Sequence, residues 1–418
     1  MALYVTLFPQ SGVFNFASAS STLPSENAEY ANGTIALENS PLNVWYDWVN
    51  ISNTQIINYV AYTNSDYPFP VPIANFVGQR FQLPDGSGIF VASALDKFEV
   101  YRDMDGDGIP QTGSTSGNNE ILYWMYTNMS DGYSIIPIQK TMVDSIPHYT
   151  WGFTYQNAYA YLENYTSVYG LVAKLIFDHI TVGYDFSMQG NVTNLKVNFD
   201  IGKVSNLTML GSSNVSLDGL SLALLYTTSA YTAEPYSTFV NSQPYNSTTT
   251  NDSAVNAQSA QIAVGNTTAY DLVFGGNYTL SLGANNNNET NQANNETYTA
   301  KAETVALSSL PWETYGPPVW QMSFFGDALS LTNLFGGSWS PVDTNYNVSP
   351  LIYRVCFPVW GGGQIQYDPV YIAYLSGTST ISEFPSWVIL ILFMVAMLLT
   401  IIFIARRQRK ATREPNSN

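Results

Sequence analysis

Apolar and polar positions alternate with period two along most of this chain, and one short stretch near the end has no period at all. The strictest alternation lies at Asn194 to Ile201. There Leu195, Val197, Phe199 and Ile201 fall on one side, and Asn194, Lys196, Asn198 and Asp200 on the other. A helix would scatter these residues around its axis, so the stretch predicts a half-buried strand. Ile180 to Ser187 repeats the pattern, and Gly190-Asn191 between the two predicts a hairpin turn. Val44 to Val49 (VWYDWV) predicts another strand, and Gly88 to Tyr101 reads as two short ones, with Phe98 and Val100 alternating with Lys97, Glu99 and Tyr101. The Pro-rich Tyr67 to Pro72 reads as an extended connector. Helical spacing is scarce, and Tyr159 to Ile176 is the one reasonable candidate before the C-terminal run. With 30 Tyr and 21 Phe, the chain predicts a mainly β fold: one or two antiparallel β-sandwich domains plus a single C-terminal transmembrane helix.

The aperiodic stretch is Trp387 to Ala405. Its 19 residues carry no charge, and at about 1.5 Å per residue they cover roughly the 30 Å hydrocarbon thickness of a bilayer. Arg406, Arg407, Arg409 and Lys410 follow at once, which predicts a cytoplasmic C-terminus and an extracellular bulk. Met1 to Gln10 holds a short apolar patch (Leu3 to Phe8) without a basic residue before it or a clear cleavage site. The orientation therefore predicts a secretory signal upstream of Met1. Four further segments follow from the text: a β-sandwich over 1–240, Asn/Ser/Thr-rich decorated loops over 241–300 with a hairpin across Gly275-Gly276, a membrane-proximal β-rich region over 301–382, and a basic tail over 406–418.

Charge and cysteine content narrow the class. Five of the 14 basic residues but only one of the 31 acidic residues follow the apolar run, so the bulk is strongly acidic. Such a surface repels phosphate backbones and excludes nucleic acid as a partner. Charged residues are 11% of the chain, against about a quarter in ordinary domains, so solubility rests on amides, hydroxyls and attached sugar. The single cysteine, Cys356, excludes an intramolecular disulfide and reads as a buried small apolar residue. Absence of disulfides in an ectodomain of this size points to a prokaryotic source, archaea included.

The sharpest motif is Asp103-Met104-Asp105-Gly106-Asp107-Gly108-Ile109-Pro110. Carboxylates at positions 1, 3 and 5 with glycine at 6 let a tight loop aim oxygens at one centre, and the carbonyl of Ile109 sits where a main-chain ligand is needed. The expected metal ligands are Asp103, Asp105, Asp107 and Ile109, and the expected ion is calcium, in a stabilising role. Gln111 and Ser114 stand where another carboxylate would be required, so the remaining ligand falls to Glu99, Glu120 or water. The loop resembles EF-hand-like and thrombospondin type 3 calcium loops. Its context, LDKFEVYRDMDGDG followed by NNEILYWMYTN, is similar to the strand and loop of DOMON domains and family 9 carbohydrate-binding modules, on Asp96, Glu99, Asp103, Asp105 and Asp107. That resemblance implies a β-sandwich binding sugar or, in some relatives, haem b. Haem would need axial ligands from His148, His179, Met125, Met129 or Met188, and no CxxCH is present for covalent attachment.

N-x-[S/T] sequons occur at Asn32, Asn50, Asn128, Asn164, Asn191, Asn206, Asn214, Asn246, Asn251, Asn266, Asn277, Asn288, Asn295 and Asn347. Their number is about twice what composition alone would give, so many are expected to carry glycans. No GxSxG, HExxH, P-loop or GxGxxG is present, although paired carboxylates of a glycosidase would leave no sequence signature. Glu383-Phe384-Pro385, the apolar run and the basic cluster together resemble the PEF-type C-terminal sorting tails of archaeal exported proteins, with Ser382 in place of the first proline. The chain thus reads as a membrane-anchored extracellular glycoprotein with a structural or ligand-binding role. Its expected partners are the lipid bilayer and possible surface-layer proteins or glycans. The alternatives are a DOMON-like haem b electron-transfer protein and a carbohydrate-active enzyme.

Overall fold

The computed structural model describes residues 15–22, 28–36, 42–51, 54–63, 75–82, 88–111, 119–128, 133–165, 170–211, 214–232, 236–245, 257–265, 267–282, 294–305 and 350–378. Among them are twenty-two strands. The first eleven are β1 (Asn15–Thr22), β2 (Ala28–Ala36), β3 (Leu42–Ile51), β4 (Thr54–Thr63), β5 (Asn75–Gln82), β6 (Gly88–Tyr101), β7 (Ile121–Asn128), β8 (Tyr133–Val143), β9 (Ile146–Asn164), β10 (Leu171–Gln189) and β11 (Val192–Ile201). The rest are β12 (Val204–Met209), β13 (Ser221–Thr232), β14 (Tyr236–Val240), β15 (Gln243–Pro244), β16 (Ser259–Val264), β17 (Thr267–Val273), β18 (Gly276–Leu282), β19 (Asn294–Thr304), β20 (Leu351–Phe357), β21 (Gln364–Tyr367) and β22 (Val370–Thr378).

The mainly β expectation holds, but a barrel takes the place of the expected sandwich. Ten strands close a ring in the order β6, β13, β20, β19, β18, β21, β11, β10, β9, β7 and back to β6, every pairing antiparallel. Closure is possible because three strands change neighbours along their length. β6 pairs with β5 as far as Leu95 and with β7 from Phe98. β9 pairs with β8 up to Tyr155 and with β7 from Tyr159. β11 pairs with β22 up to Lys196 and with β21 from Phe199. At the other end the same sheet therefore opens into two leaves. One runs from β6 through β5, β4, β3 and β2 to β1; the other runs from β11 through β22, β17, β16 and β14 to β15. The described strands of 241–300 and 301–378 are woven into this one sheet with those of 1–240.

Alternation explains which face β10 and β11 bury, whereas β6, β13 and β20 are buried on both faces. In β11, Leu195, Val197, Phe199 and Ile201 are buried while Asn194, Lys196, Asn198 and Asp200 lie half-exposed outside. On β11, apolar inside and polar outside is the reverse of the pattern on a strand of a membrane-spanning barrel. The β10–β11 hairpin turns at Gly190-Asn191 with Gly190 at φ 60°, as its sequence predicts. The interior is packed with aromatics: Trp45 meets Phe153 edge-on with centroids 5.9 Å apart, and Phe81 stacks on Tyr270 at 6.3 Å.

Three local expectations are corrected. Tyr159 to Ile176 is the end of β9 and the start of β10, not a helix. Gly88 to Tyr101 is one strand, with Asp96 bulged against β13. Strands β17 and β18 flank Gly275 but do not pair; β17 adds to β16 and β22, and β18 to β19 and β21. Among the described residues no helix is long and apolar enough to cross a membrane. The run 387–405, the basic tail, the patch within 1–10 and the connector 67–72 lie outside the described residues.

Candidate metal centre

The aspartate-rich loop follows β6 and leads to β7, at the end of the β6–β7 pairing that closes the ring. Two backbone bonds tie its ends: Arg102 N–H donates to Glu120 O at 2.9 Å, and Glu120 N–H to Gln111 O at 3.0 Å. Inside, the carboxylates organise the backbone. Asp103 accepts from the N–H groups of Gly106 at 2.8 Å and Gly108 at 3.0 Å. Asp105 accepts from the Asp107 N–H at 3.1 Å and from the Gln111 side chain at 2.5 Å. Asp107 accepts from the Ile109 N–H at 2.8 Å. Glu120, buried, accepts from the N–H groups of Met104 at 2.7 Å and Gln111 at 2.9 Å.

Two glycines make the turn possible. Gly106 and Gly108 have φ of 81° and 82°, a left-handed conformation that side chains disfavour. A Cβ on Gly108 would also lie 2.8 Å from Pro358 Cγ. The loop is anchored from below by Tyr101, whose buried hydroxyl donates to Gly108 O at 2.8 Å. Burial holds that phenol well above its ordinary range, so it remains a donor.

One carboxylate oxygen from each of Asp103, Asp105 and Glu120 lies within 4.8 Å of the others. Among the described residues no Lys, Arg or His forms an ion pair with any of the three. Three carboxylates brought together without a cationic side chain are a donor set that suits a hard divalent ion, with further oxygens from main chain or water. Asp107 is exposed and outside this group, and Ile109 is buried beside it. Of the candidates for the remaining ligand, Glu120 joins the group. Glu99 instead faces the outer wall, where it binds Arg354.

That outer wall is where sequence reading saw least. Arg354 of β20 reaches across Ala223 of β13 to Glu99 of β6 at 2.5 Å, and beside it to Glu303 of β19 at 2.8 Å, all at most 9% exposed. Burial pushes the Glu303 carboxyl up and Arg354 opposes it. Lys97 lies over the Trp124 ring, 4.0 Å from its centroid, and burial lowers its pKa to about 8. Asp96 accepts from Thr227 at 2.5 Å. The lone arginine in the apolar string LIYRVCF was the available signal. Cys356 is fully buried, with its thiol pushed up by burial.

The other sequence candidates scatter. His148 and His179 sit on the outer face of the sheet and bind Asp185 at 2.8 Å and Asp200 at 3.2 Å. Met125 is in the core and Met188 packs at its margin; Met129 lies outside the described residues. Among the sequons, Asn191, Asn206, Asn214 and Asn277 are exposed, while Asn32, Asn50 and Asn164 are half-buried. Asn32 donates to the Tyr30 hydroxyl at 2.8 Å and Asn50 to Glu29 at 3.2 Å. Asn128 and Asn295 lie in β7 and β19. Asn246, Asn251, Asn266, Asn288 and Asn347 lie outside the described residues.

Comparison with known proteins assigns no family. No family model matches the chain, and no curated protein matches it.

Proposed function

We propose that this chain is a membrane-anchored cell-surface glycoprotein with a calcium-stabilised ectodomain and a structural or ligand-binding role. The observation that carries the calcium part is the convergence of Asp103, Asp105 and Glu120 at the seam of the ring without a cationic partner among the described residues. An ion there would tie the end of β6 to the start of β7, because Asp103 and Asp105 follow one strand and Glu120 precedes the other. Its contribution in this reading is to folding, as a tie between the two strands. The anchoring part rests on the uncharged run Trp387 to Ala405, its basic flank, and the likeness of that tail to archaeal sorting signals. The polar outer faces of β10 and β11 and the exposed sequons suit a solvated, sugar-bearing exterior.

The test is thermal unfolding of the full chain in detergent, with calcium and with chelator. Chelation lowers the melting temperature, and Asp105→Ala abolishes the difference. A melting curve indifferent to calcium in the unaltered chain refutes the reading.

A further inference from the structure

Asp47 lies on the inner face of β3, fully buried, and takes no part in the metal loop. Its Oδ1 accepts from the Tyr30 hydroxyl at 2.6 Å, and that hydroxyl accepts from Asn32 at 2.8 Å. Among the described residues its Oδ2 has no hydrogen-bond partner. Directly opposite on β4 stands Asn58, whose Oδ1 accepts from Trp151 Nε1 of β9 at 3.0 Å and whose Nδ2 is also unpartnered. Trp151 is itself stacked on Tyr184 of β10. Among the described residues the groups facing Asp47 are Tyr30 and Asn32 from β2 and Asn58 from β4, with Trp151 of β9 behind Asn58. Tyr30 is the one titratable group among them, and none is cationic. An ionised carboxylate here has a single donor where it would ordinarily take several.

Among the described strands, the leaf that contains Asp47 (β1 to β5) is hydrogen-bonded to the rest of the sheet only through β5–β6. Its Tyr30, Trp45, Val49, Ile51, Ile56 and Phe81 pack into the common core, where Trp45 meets Phe153, Asn58 meets Trp151 and Phe81 meets Tyr270.

We propose that Asp47, with Tyr30 and Asn58, is a proton-operated latch that holds the β1–β5 leaf against β9 when the carboxyl is protonated and releases it when the carboxyl ionises. Burial pushes this carboxyl up to about 7, while the Tyr30 bond pulls the other way. In an opened leaf it would return to about 4. Opening between those values therefore releases one proton. The opening constant then rises about tenfold per pH unit across the window and levels off above it.

Hydrogen exchange of the full chain in detergent, from pH 5 to pH 8 and corrected for intrinsic exchange, reads this directly. Amides of β2 to β4 show the tenfold-per-unit rise in the unaltered chain and no rise in Asp47→Asn, while amides of β10 and β11 show none in either. Tyr30→Phe removes the donor that favours the anion, so the upper end of the window moves to higher pH. A slope that persists in Asp47→Asn, an unaltered chain without a slope, or a window unmoved by Tyr30→Phe overturns the proposal.

Discussion

Replacing Arg354 by methionine tests how the outer wall is held. The side chain is 2% exposed and its guanidinium serves two carboxylates from different strands, Glu99 at 2.5 Å and Glu303 at 2.8 Å. Methionine fills much of the volume but leaves both acids buried without their cation. Breaking a buried pair from one side costs about 3–5 kcal/mol, far more than the 0–1 kcal/mol of a surface pair. The sign of the pH dependence follows from Glu303. Burial already raises its pKa above the unfolded value and Arg354 is the chief influence lowering it. Without Arg354 the folded pKa rises further. The folded state then favours the protonated acid, and stability is lost as pH climbs through that raised value. Chemical denaturation followed by tryptophan fluorescence should show a loss of about 3–5 kcal/mol at pH 8 and a clearly smaller one at pH 5. Adding Glu99→Gln and Glu303→Gln to Arg354→Met removes the stranded charges and should recover most of the loss. A loss below about 1 kcal/mol at pH 8, or one independent of pH, would refute the reasoning.

Gly108→Ala should cost about 1–3 kcal/mol through its φ of 82° and the close approach of Pro358, seen as a lower melting temperature with and without calcium. Trp151→Phe keeps an aromatic side chain but removes the indole N–H that buried Asn58 accepts from and leaves a void in the core, so at least about 1–3 kcal/mol should be lost in denaturant unfolding. Glycan occupancy should follow exposure: Asn191→Gln, Asn206→Gln, Asn214→Gln and Asn277→Gln each reduce the mass of the purified protein by one glycan, whereas Asn32→Gln does not.

The β10–β11 hairpin was legible because alternation at Ile180 to Ser187 and Asn194 to Ile201 is strict and Gly190 marks the turn. Ring closure was not. It depends on β6, β9 and β11 exchanging neighbours midway, a long-range choice that leaves no mark on local periodicity. Tyr159 and Tyr161 carry rings on the outer face of β9, where Lys174 lies over Tyr159, while Ala160 and Leu162 fill the core. With apolar groups on both faces the alternation disappears, and the stretch passes for a helix. The turn at Asp144-Ser145, with φ of 49° and 66°, lacks the glycine that would have announced it. At the aspartate-rich loop the motif placed Asp103 and Asp105 together, but Glu120 joins them only because β7 returns beside β6. Nothing local could tell Glu120 from Glu99, which Arg354 holds on the outer wall instead.

The most direct test of the surface-anchored reading is amine labelling of intact cells with a reagent that does not cross membranes, read by peptide mass spectrometry. Lys203, 52% exposed on the outside of the sheet, should be modified on intact cells, while Lys410 should be modified only after lysis. Labelling of Lys410 with Lys203 untouched would place the barrel inside the cell and contradict the account.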